Sequence, residues 1–209
     1  MKALIYYEGD SEREMLDHLL HKSCQQTLIT KDYLDFLTTP DNIYILFLYD
    51  CDGYQNVFPN IAKTKYLYNN NESVLILRDL EQVPCFTQLK EDLYTVCPPL
   101  RNYSGALTLF SKPQFEQVYF SDLSLFENVF CIMFRSRNGT SIPNLAILKQ
   151  RIRDLDHRYP MQSLKKLFKM YNMAFDKKEL ANEYFARFNF RSSRYPYIIR
   201  LMGALNGFL

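Results

Sequence analysis

Apolar residues in the first half of the chain form short runs that alternate with helical patterns. Residues 2–7 have the pattern of a strand, and the almost wholly apolar run at 43–49 is typical of a strand covered on both faces. Two further strands are predicted at 73–78 and 105–110. Helical patterns separate these runs at 12–22, 54–67 and 84–96. This order predicts an α/β fold with a mainly parallel sheet of about four strands flanked by helices.

Beyond residue 111 the pattern becomes helical. Residues 135–143 contain Ser, Asn, Gly and Pro and are predicted to form a loop. We divide the chain into an α/β core, residues 1–110, and a C-terminal helical extension, residues 111–209, that packs on the core. The helices expected in the extension are 112–120, 123–130, 144–156, 161–172, 177–188 and 195–207.

The composition is that of a globular protein with a sizeable core, since 47% of the 209 residues are hydrophobic. No apolar stretch reaches the ~18 residues of a membrane span, and residues 2–7 meet Glu8 too early to form a signal sequence. The five cysteines are widely spaced and include no CxxC pair, which argues against a disulfide framework and a zinc knuckle. We therefore expect a cytoplasmic protein with no membrane partner.

The net charge is only +2, but the charges are unevenly distributed. Residues 135–209 carry 15 Lys and Arg against 5 Asp and Glu, whereas residues 1–134 carry 10 against 18. One explanation is that these charges lie on solvated helix faces. The other is that an acidic, metal-binding half accompanies a basic half that neutralises a polyanion such as nucleic acid. The sequence leaves both explanations open.

Acidic residues follow two of the predicted strands. Glu8 ends the first apolar run, and Asp79 and Glu81 follow the run at 73–78. Ligands of parallel α/β sheets bind outside the carboxyl ends of the strands, and carboxylate oxygens suit hard cations such as Mg²⁺. Helix N-termini also favour acidic residues, which would explain each residue singly but not the ordered set. The pattern therefore predicts a Mg²⁺ or Mn²⁺ site and phosphoryl transfer.

A second acidic pair, Asp50 and Asp52, follows the predicted strand at 43–49. It competes with Asp79 and Glu81 for the same role, although Asp-Gly sequences such as Asp52-Gly53 commonly form turns. We predict a turn here that adds, at most, one more carboxylate to the site.

Two motifs resemble the Toprim fold of topoisomerases, primases and the overcoming-lysogenisation-defect nucleases. The first is Tyr7-Glu8-Gly9-Asp10-Ser11-Glu12, a strand end followed by a helix start that Ser11 is expected to cap. The second is Leu75-Ile76-Leu77-Arg78-Asp79-Leu80-Glu81. Its spacing is similar to that of a small bacterial Toprim-like family known only as a domain of unknown function. Segments 115–120 and 189–194 resemble the same family.

The resemblance implies a metal-dependent hydrolase. It implies that Glu8 serves as metal ligand and general acid or base, and that Asp79 and Glu81 form the ligand pair. Glu81 departs from the Asp of the family pattern, and Tyr119 replaces a usual Trp. Asp50, Asp52 and Glu116 are additional candidates for this site.

Phosphate contacts are expected from Arg191, Ser192 and Arg194, through guanidinium groups and a hydroxyl. The alternative is that these residues cap the last helix and make an ion pair to the core. Tyrosines near the predicted rim, such as Tyr7 and Tyr49, are candidates to stack on bases, as is Tyr54, but nothing in the sequence selects them.

Two functions fit these features. One is a nuclease or related phosphoryl-transfer protein that uses Mg²⁺ or Mn²⁺ on nucleic acid. The other is a non-catalytic Toprim-like module that binds a partner such as an ATPase, as the resemblance to proteins encoded beside ATPases implies. An acyl- or nucleotide-processing enzyme is disfavoured because the chain contains no GxGxxG, GxxxxGK[ST] or GxSxG motif.

Overall fold

A computed structural model of the chain describes residues 2–23, 27–40, 42–68, 72–79, 85–103, 107–112 and 115–206. The chain forms two compact units, one of residues 1–113 with 196–209 and the other of residues 114–195. The first unit contains the sheet, and the second is helical. The division lies close to the expected boundary at residue 110, but the last helix, which we assigned to the extension, groups with the sheet.

The described part of the first unit contains one sheet of five parallel strands. They are β1 (Lys2–Tyr7), β2 (Leu28–Thr30), β3 (Ile45–Asp50), β4 (Ser73–Asp79) and β5 (Leu107–Lys112), in the spatial order β2-β3-β1-β4-β5. The predicted α/β class and parallel sheet are confirmed. The edge strand β2 was not predicted, because three residues are too few to show an alternating pattern.

The described residues form nine α-helices. They are α1 (Asp10–Ser23), α2 (Tyr33–Thr38), α3 (Val57–Lys63), α4 (Phe86–Val96), α5 (Leu123–Asn138), α6 (Leu145–Arg153), α7 (Pro160–Met170), α8 (Lys177–Arg187) and α9 (Pro196–Ala204). Shorter 3-10 helices are Tyr54–Asn56, Lys65–Tyr68, Pro98–Asn102, Phe115–Phe120 and Phe190–Ser192. Among the helices described, none combines the length and the apolar character needed to cross a membrane.

One face of the sheet packs on α2, α3 and α4. Leu4 and Tyr6 of β1 belong to this core, and so does Phe47 of β3. The helices contribute fully or almost fully buried residues, among them Phe36, Val57, Ile61, Leu89 and Leu93. Burying each such side chain stabilises the fold by roughly 1.5–3 kcal/mol, which is why these short helices hold their positions.

Helix α1 covers the opposite face. Alternate residues of β1, from Ala3 to Tyr7, are also buried but lie outside the first core cluster. The Tyr7 hydroxyl lies within the electrostatic reach of Arg13 and Asp17 of α1. The helix that follows β1 thus lies on one face of the sheet, whereas the helices that follow β3 and β4 lie on the other face. The carboxyl end of β1 is therefore a topological switch point, the place where ligands bind in such sheets.

The start of α1 differs from the prediction. The helix begins at Asp10, and its first backbone bond runs from the Arg13 N–H to the Gly9 carbonyl, at 3.1 Å. Ser11 is fully buried in the first turn, and its Oγ has no hydrogen-bond partner among the described residues. The predicted capping role of Ser11 is wrong because the helix starts before this residue.

Helix α5 is longer than predicted. It continues to Asn138 and ends at Gly139, whose φ of +68° is a left-handed conformation that glycine adopts without strain. The prediction of a loop at 135–143 is wrong for residues 135–138, which form the last turn of α5. Their polar side chains suggested a loop, but they lie on an exposed turn of the helix. The N-caps of the second unit follow ordinary chemistry, since Asp122, Asn144 and Asp176 accept bonds from backbone N–H groups of α5, α6 and α8.

Aromatic rings form the core of the second unit. Tyr119 is fully buried and packs edge-on against Tyr184 at 5.0 Å between ring centroids. The Tyr184 hydroxyl donates a hydrogen bond to the Val118 carbonyl at 3.1 Å. The position at which the resemblance implies a Trp therefore lies in a packed core. Other buried rings there are Phe115, Phe126, Phe130, Phe168 and Phe185.

Candidate active site

Glu8 lies at the carboxyl edge of the sheet, directly after β1. Its backbone carbonyl accepts a 2.7 Å hydrogen bond from the Gly53 N–H, and the Tyr7 carbonyl accepts one from Cys51 at 3.0 Å. These bonds hold the turn after β3 against the end of β1. The Glu8 side chain is partly exposed and so can be reached from solvent.

The segment after β3 forms the predicted turn. Asp50 pairs with Tyr7 across the two strands, and its carboxylate accepts a 3.0 Å hydrogen bond from the Asp52 N–H. Asp52 and Gly53 both have positive φ, +52° and +105°. The Asn56 side chain donates to the Asp52 carbonyl at 2.8 Å. Both aspartate side chains are exposed, and the strand register brings Asp50 beside the end of β1.

Tyr7 connects Asp50 to α1. Burial raises the pKa of the Tyr7 hydroxyl, and the negative charge of Asp50 raises it further. The hydroxyl therefore stays protonated beside the negative charge of Asp50.

The backbone of Asp79 ends β4 at the same edge of the sheet. Tyr6 pairs with Ile76, so continuing this parallel register aligns Arg78 with Glu8 and brings Asp79 one residue further. Adjacent strands lie about 4.8 Å apart. The Asp79 side chain and the whole of Glu81 lie outside the described residues, so their part in the site remains a prediction.

Arg78 is held on the α3 side of this edge. Its guanidinium carbon lies 3.9 Å from the centroid of the Phe58 ring, a distance typical of a cation–π contact. The side chain is partly buried. Arg78 therefore brings a positive charge to the carboxyl end of β4.

A buried carboxylate that was not among the predicted site residues lies four residues after Glu8. Glu12 is in the first turn of α1 and only 2% exposed. Burial of a carboxylate is unfavourable unless hydrogen bonds or a positive charge offset it, and the positive end of the helix dipole contributes to that offset. The available signal was the place of Glu12 in the same strand-end motif, four residues after Glu8.

Glu116 belongs to the second unit and already has a cationic partner. Its carboxylate is 3% exposed, and its Oε1 lies 2.9 Å from Nζ of Lys177. Oε1 lacks hydrogen-bond geometry, so the contact is a close ion pair rather than a formal hydrogen bond. The distance makes Lys177 the charge that stabilises this buried group, which is a structural role.

The predicted phosphate-binding segment is exposed on the second unit. Asn189 caps it, since its Oδ1 accepts a 3.3 Å hydrogen bond from the Ser192 N–H. The Ser192 hydroxyl donates to the Asn189 carbonyl at 3.5 Å. Within the described residues Arg191 and Arg194 make no ion pair, so the expected alternative of an ion pair to the core is not seen there. Both side chains are exposed.

The carboxylates described at the sheet edge have the right chemistry for a hard cation but are too few to enclose one. Within the described part of the chain, no group of three or more His, Cys, Asp or Glu side chains could hold a metal. Glu8 and Asp50 supply two oxygen-donor side chains, and oxygen donors are what Mg²⁺ and Mn²⁺ prefer. A complete set needs the Asp79 side chain or Glu81, as the sequence predicts.

Comparison with known proteins gives no family for this chain. No family model, curated protein or solved structure matches it. The resemblance to the Toprim-like family thus rests on the motifs around Glu8 and Asp79. It stays a prediction.

Proposed function

We propose that this protein is a metal-dependent nuclease, or a related phosphoryl-transfer protein, that acts on nucleic acid in the cytoplasm. The observation that carries the proposal is the strand register, which aligns the ends of β1, β3 and β4 at the switch point of the sheet. Glu8, Asp50 and the backbone of Asp79 therefore belong to one edge. Three acidic strand ends at a switch point are an arrangement suited to a cation and a phosphate ester.

The residues of this edge take distinct roles in the proposal. Glu8 and Asp79 would hold Mg²⁺ or Mn²⁺, with Glu81 as the third ligand. Such a cation, when bound, polarises a phosphodiester oxygen and offsets the charge that develops during hydrolysis. Glu8 is partly exposed and can accept a proton from an attacking water. Arg78 is fixed by Phe58 and can offset the charge of a neighbouring phosphate.

The charge of the second unit supports a polyanionic substrate. Residues 114–195 carry 14 Lys and Arg against 8 Asp and Glu, whereas the remainder of the chain carries 11 against 15. Arg191 and Arg194 lie on the basic unit, exposed. Exposed basic groups that neutralise phosphates supply most of the affinity of non-specific nucleic-acid binding.

One observation favours the alternative of a non-catalytic module that works with a partner such as an ATPase. The carboxylates described at the edge do not make up a three-ligand group. The third ligand of the proposal, Glu81, is one methylene longer than the Asp of the Toprim-like pattern. A module of this kind would bind its partner without any divalent ion.

Metal binding and cleavage, measured on the same variants, test the proposal. Calorimetry with Mn²⁺ is combined with cleavage of plasmid and single-stranded DNA. Glu8→Gln and Asp79→Asn should abolish Mn²⁺ binding and lower cleavage by about 100-fold or more. Asp92→Asn is the matched control, since Asp92 lies on α4 and hydrogen-bonds to Gln88. It should leave both readouts unchanged.

Two results would overturn the nuclease. One is Mn²⁺ binding that survives in both Glu8→Gln and Asp79→Asn. The other is tight, metal-free association with a partner protein together with no cleavage under any divalent ion. The second result would establish the binding module instead.

A further inference from the structure

A cleft of about 350 Å³ opens beside Asp50 at the end of β3, on the β2 side of the sheet. Its walls include Lys31 and Tyr33, which follow β2, and Tyr66 from the 3-10 helix after α3. Tyr49 and Asp50 of β3 complete the part nearest the edge. Asp50 thus borders both the cleft and the candidate active site. A volume of this size lies in the range of ligand pockets.

The inner wall of the cleft is held by ring packing. Tyr49 packs on Tyr6 and Phe47, with ring centroids 5.4 Å and 6.0 Å apart, and Phe47 packs on Phe36 at 5.6 Å. The Tyr6 hydroxyl shares a 2.8 Å hydrogen bond with the hydroxyl of Thr64, which also lines the cleft. These contacts give the cleft a preformed aromatic wall.

The outer wall presents two tyrosine rings to solvent. Tyr33 is 47% exposed and Tyr66 is 50% exposed. The Lys31 side chain is exposed and makes no ion pair within the described residues. Exposed rings, a lysine and a carboxylate therefore surround one cavity. Stacking surfaces with a few polar groups at the rim are the features that bind an aromatic, anionic ligand.

We propose that this cleft binds an unpaired base of a single-stranded nucleic acid. The inference rests on the proposed function and adds the substrate class, because the adjoining phosphodiester would lie at the edge that Glu8 and Asp79 border. Tyr33, Tyr49 and Tyr66 stack on the base, and stacking of this kind tolerates any base. Lys31 contacts a flanking phosphate, and Asp50 accepts a hydrogen bond from a ring or amino N–H of the base. A paired base inside a duplex has both faces covered and does not enter.

A tryptophan reporter tests this assignment without relying on catalysis. The chain contains no Trp, so Tyr66→Trp or Tyr33→Trp introduces a single fluorophore at the cleft. The matched control is Tyr44→Trp, because Tyr44 is 43% exposed and precedes β3 at the amino end of the sheet. The probe is an oligo(dT) strand of about 12 nucleotides in EDTA, a length within the site size of single-strand binding proteins. The cleft variants should show saturable quenching, and the control should not.

Affinity measured on ring-removing variants is the second readout. Tyr33→Leu and Tyr66→Leu should each weaken oligo(dT) binding by about tenfold, because each removes one stacking surface. Tyr66→Phe keeps the ring and should bind as the unaltered protein does. Both positions are half exposed, so the fold should persist, and thermal unfolding of each variant verifies this.

Each outcome decides a separate point. Quenching without any metal-dependent cleavage would support the cleft and overturn the nuclease. Metal-dependent cleavage without quenching in either cleft variant would overturn the cleft assignment and leave the nuclease in place. Equal affinity for dTMP and oligo(dT) would assign the cleft to free nucleotides and so contradict a strand. Equal quenching by a duplex would also contradict it.

Discussion

Burial controls the protonation of individual side chains in the unit that contains the sheet. Cys51 is 1% exposed, and burial raises the pKa of its thiol from 9.0 to about 12. The negative charges of Asp50 and Glu8 act in the same direction. Burial likewise raises the pKa of the Tyr103 hydroxyl, which donates to the Glu72 carbonyl, from 10.0 to about 12. Both groups stay neutral in the folded protein at physiological pH.

These raised pKa values predict a loss of stability in alkali. The unfolded thiol and phenol ionise near pH 9 and pH 10, whereas the folded groups hold their protons to about pH 12. The unfolded state therefore binds fewer protons in this window, and the free energy of unfolding falls as pH rises. The contribution is fully present below pH 9 and lost by pH 12. Urea unfolding across this pH range should show the free energy of unfolding fall as pH rises. The fall should be smaller in Cys51→Ala, which lacks the thiol. A free energy of unfolding that rises with pH would contradict this prediction.

The Glu116–Lys177 pair gives a prediction that separates a structural from a metal-binding role. Lys177→Ala leaves the buried carboxylate without its cation, so we expect a loss of about 2 kcal/mol in the free energy of unfolding. This is less than for a fully buried pair, because the Lys177 side chain is 37% exposed and water screens it. Chemical denaturation measures the loss. If Lys177→Ala keeps full stability while Glu116→Gln loses Mn²⁺ binding, Glu116 is a metal ligand.

At the scale of elements, the strands and helices with a long, regular hydrophobic pattern could be predicted from the sequence. The apolar run at 43–49 needs no tertiary information to be recognised as a strand, and β3 covers most of it. The short α2 was missed because its one buried residue, Phe36, creates no period. Helix α9 was assigned to the C-terminal extension, but it groups with the sheet. Its contacts with β5 join residues that are far apart in sequence. Such long-range contacts cannot be read from local pattern.

Helix α8 allows a direct test of cap chemistry. Asp176 accepts a 2.9 Å hydrogen bond from the Glu179 N–H at the start of the helix. Asp176→Ala should lower the free energy of unfolding by about 1 kcal/mol, because it leaves that backbone donor without its cap. Asp176→Asn keeps the acceptor and should retain most of the stability in the same denaturation experiment. Equal losses in the two variants would show that charge, and not the cap, matters here.

At the scale of the whole molecule, the two units carry opposite net charge. The excess of basic residues in 114–195 was visible in the sequence as a basic C-terminal half. What could not be predicted is that Asn189, rather than Arg191 or Arg194, makes the local cap contacts. Side-chain geometry of this kind depends on backbone angles that the sequence does not specify. The role of these two arginines as anion contacts stays a prediction.

Salt dependence tests that role. The double variant Arg191→Gln, Arg194→Gln should weaken binding to single-stranded DNA and reduce the slope of log affinity against log salt by about 1.4, the effect of two lost phosphate contacts. Arg101→Gln is the control, because Arg101 pairs with Glu91 in the acidic unit. An unchanged slope in the double variant would show that other residues contact the phosphates.

The candidate site could be predicted only in part. The positions of Glu8 and Asp50 follow from strand ends, which the apolar runs mark. The aromatic cleft does not, because Lys31 and Tyr66 are brought together by crossovers of the chain. Two of the tyrosines named as stacking candidates, Tyr7 and Tyr49, line the cleft. Tyr7 is almost fully buried. The side chain of Tyr54 lies outside those described.

The central claim is that one divalent ion binds between Glu8 and Asp79. A crystal structure of the protein soaked in Mn²⁺, with the ion located by its anomalous scattering, tests this most directly. We expect a single strong site with carboxylate oxygens of both residues about 2.1 Å from the ion, the distance for small divalent cations. An ion bound elsewhere, or carboxyl groups of Glu8 and Asp79 that point away from each other, would contradict the proposed active site.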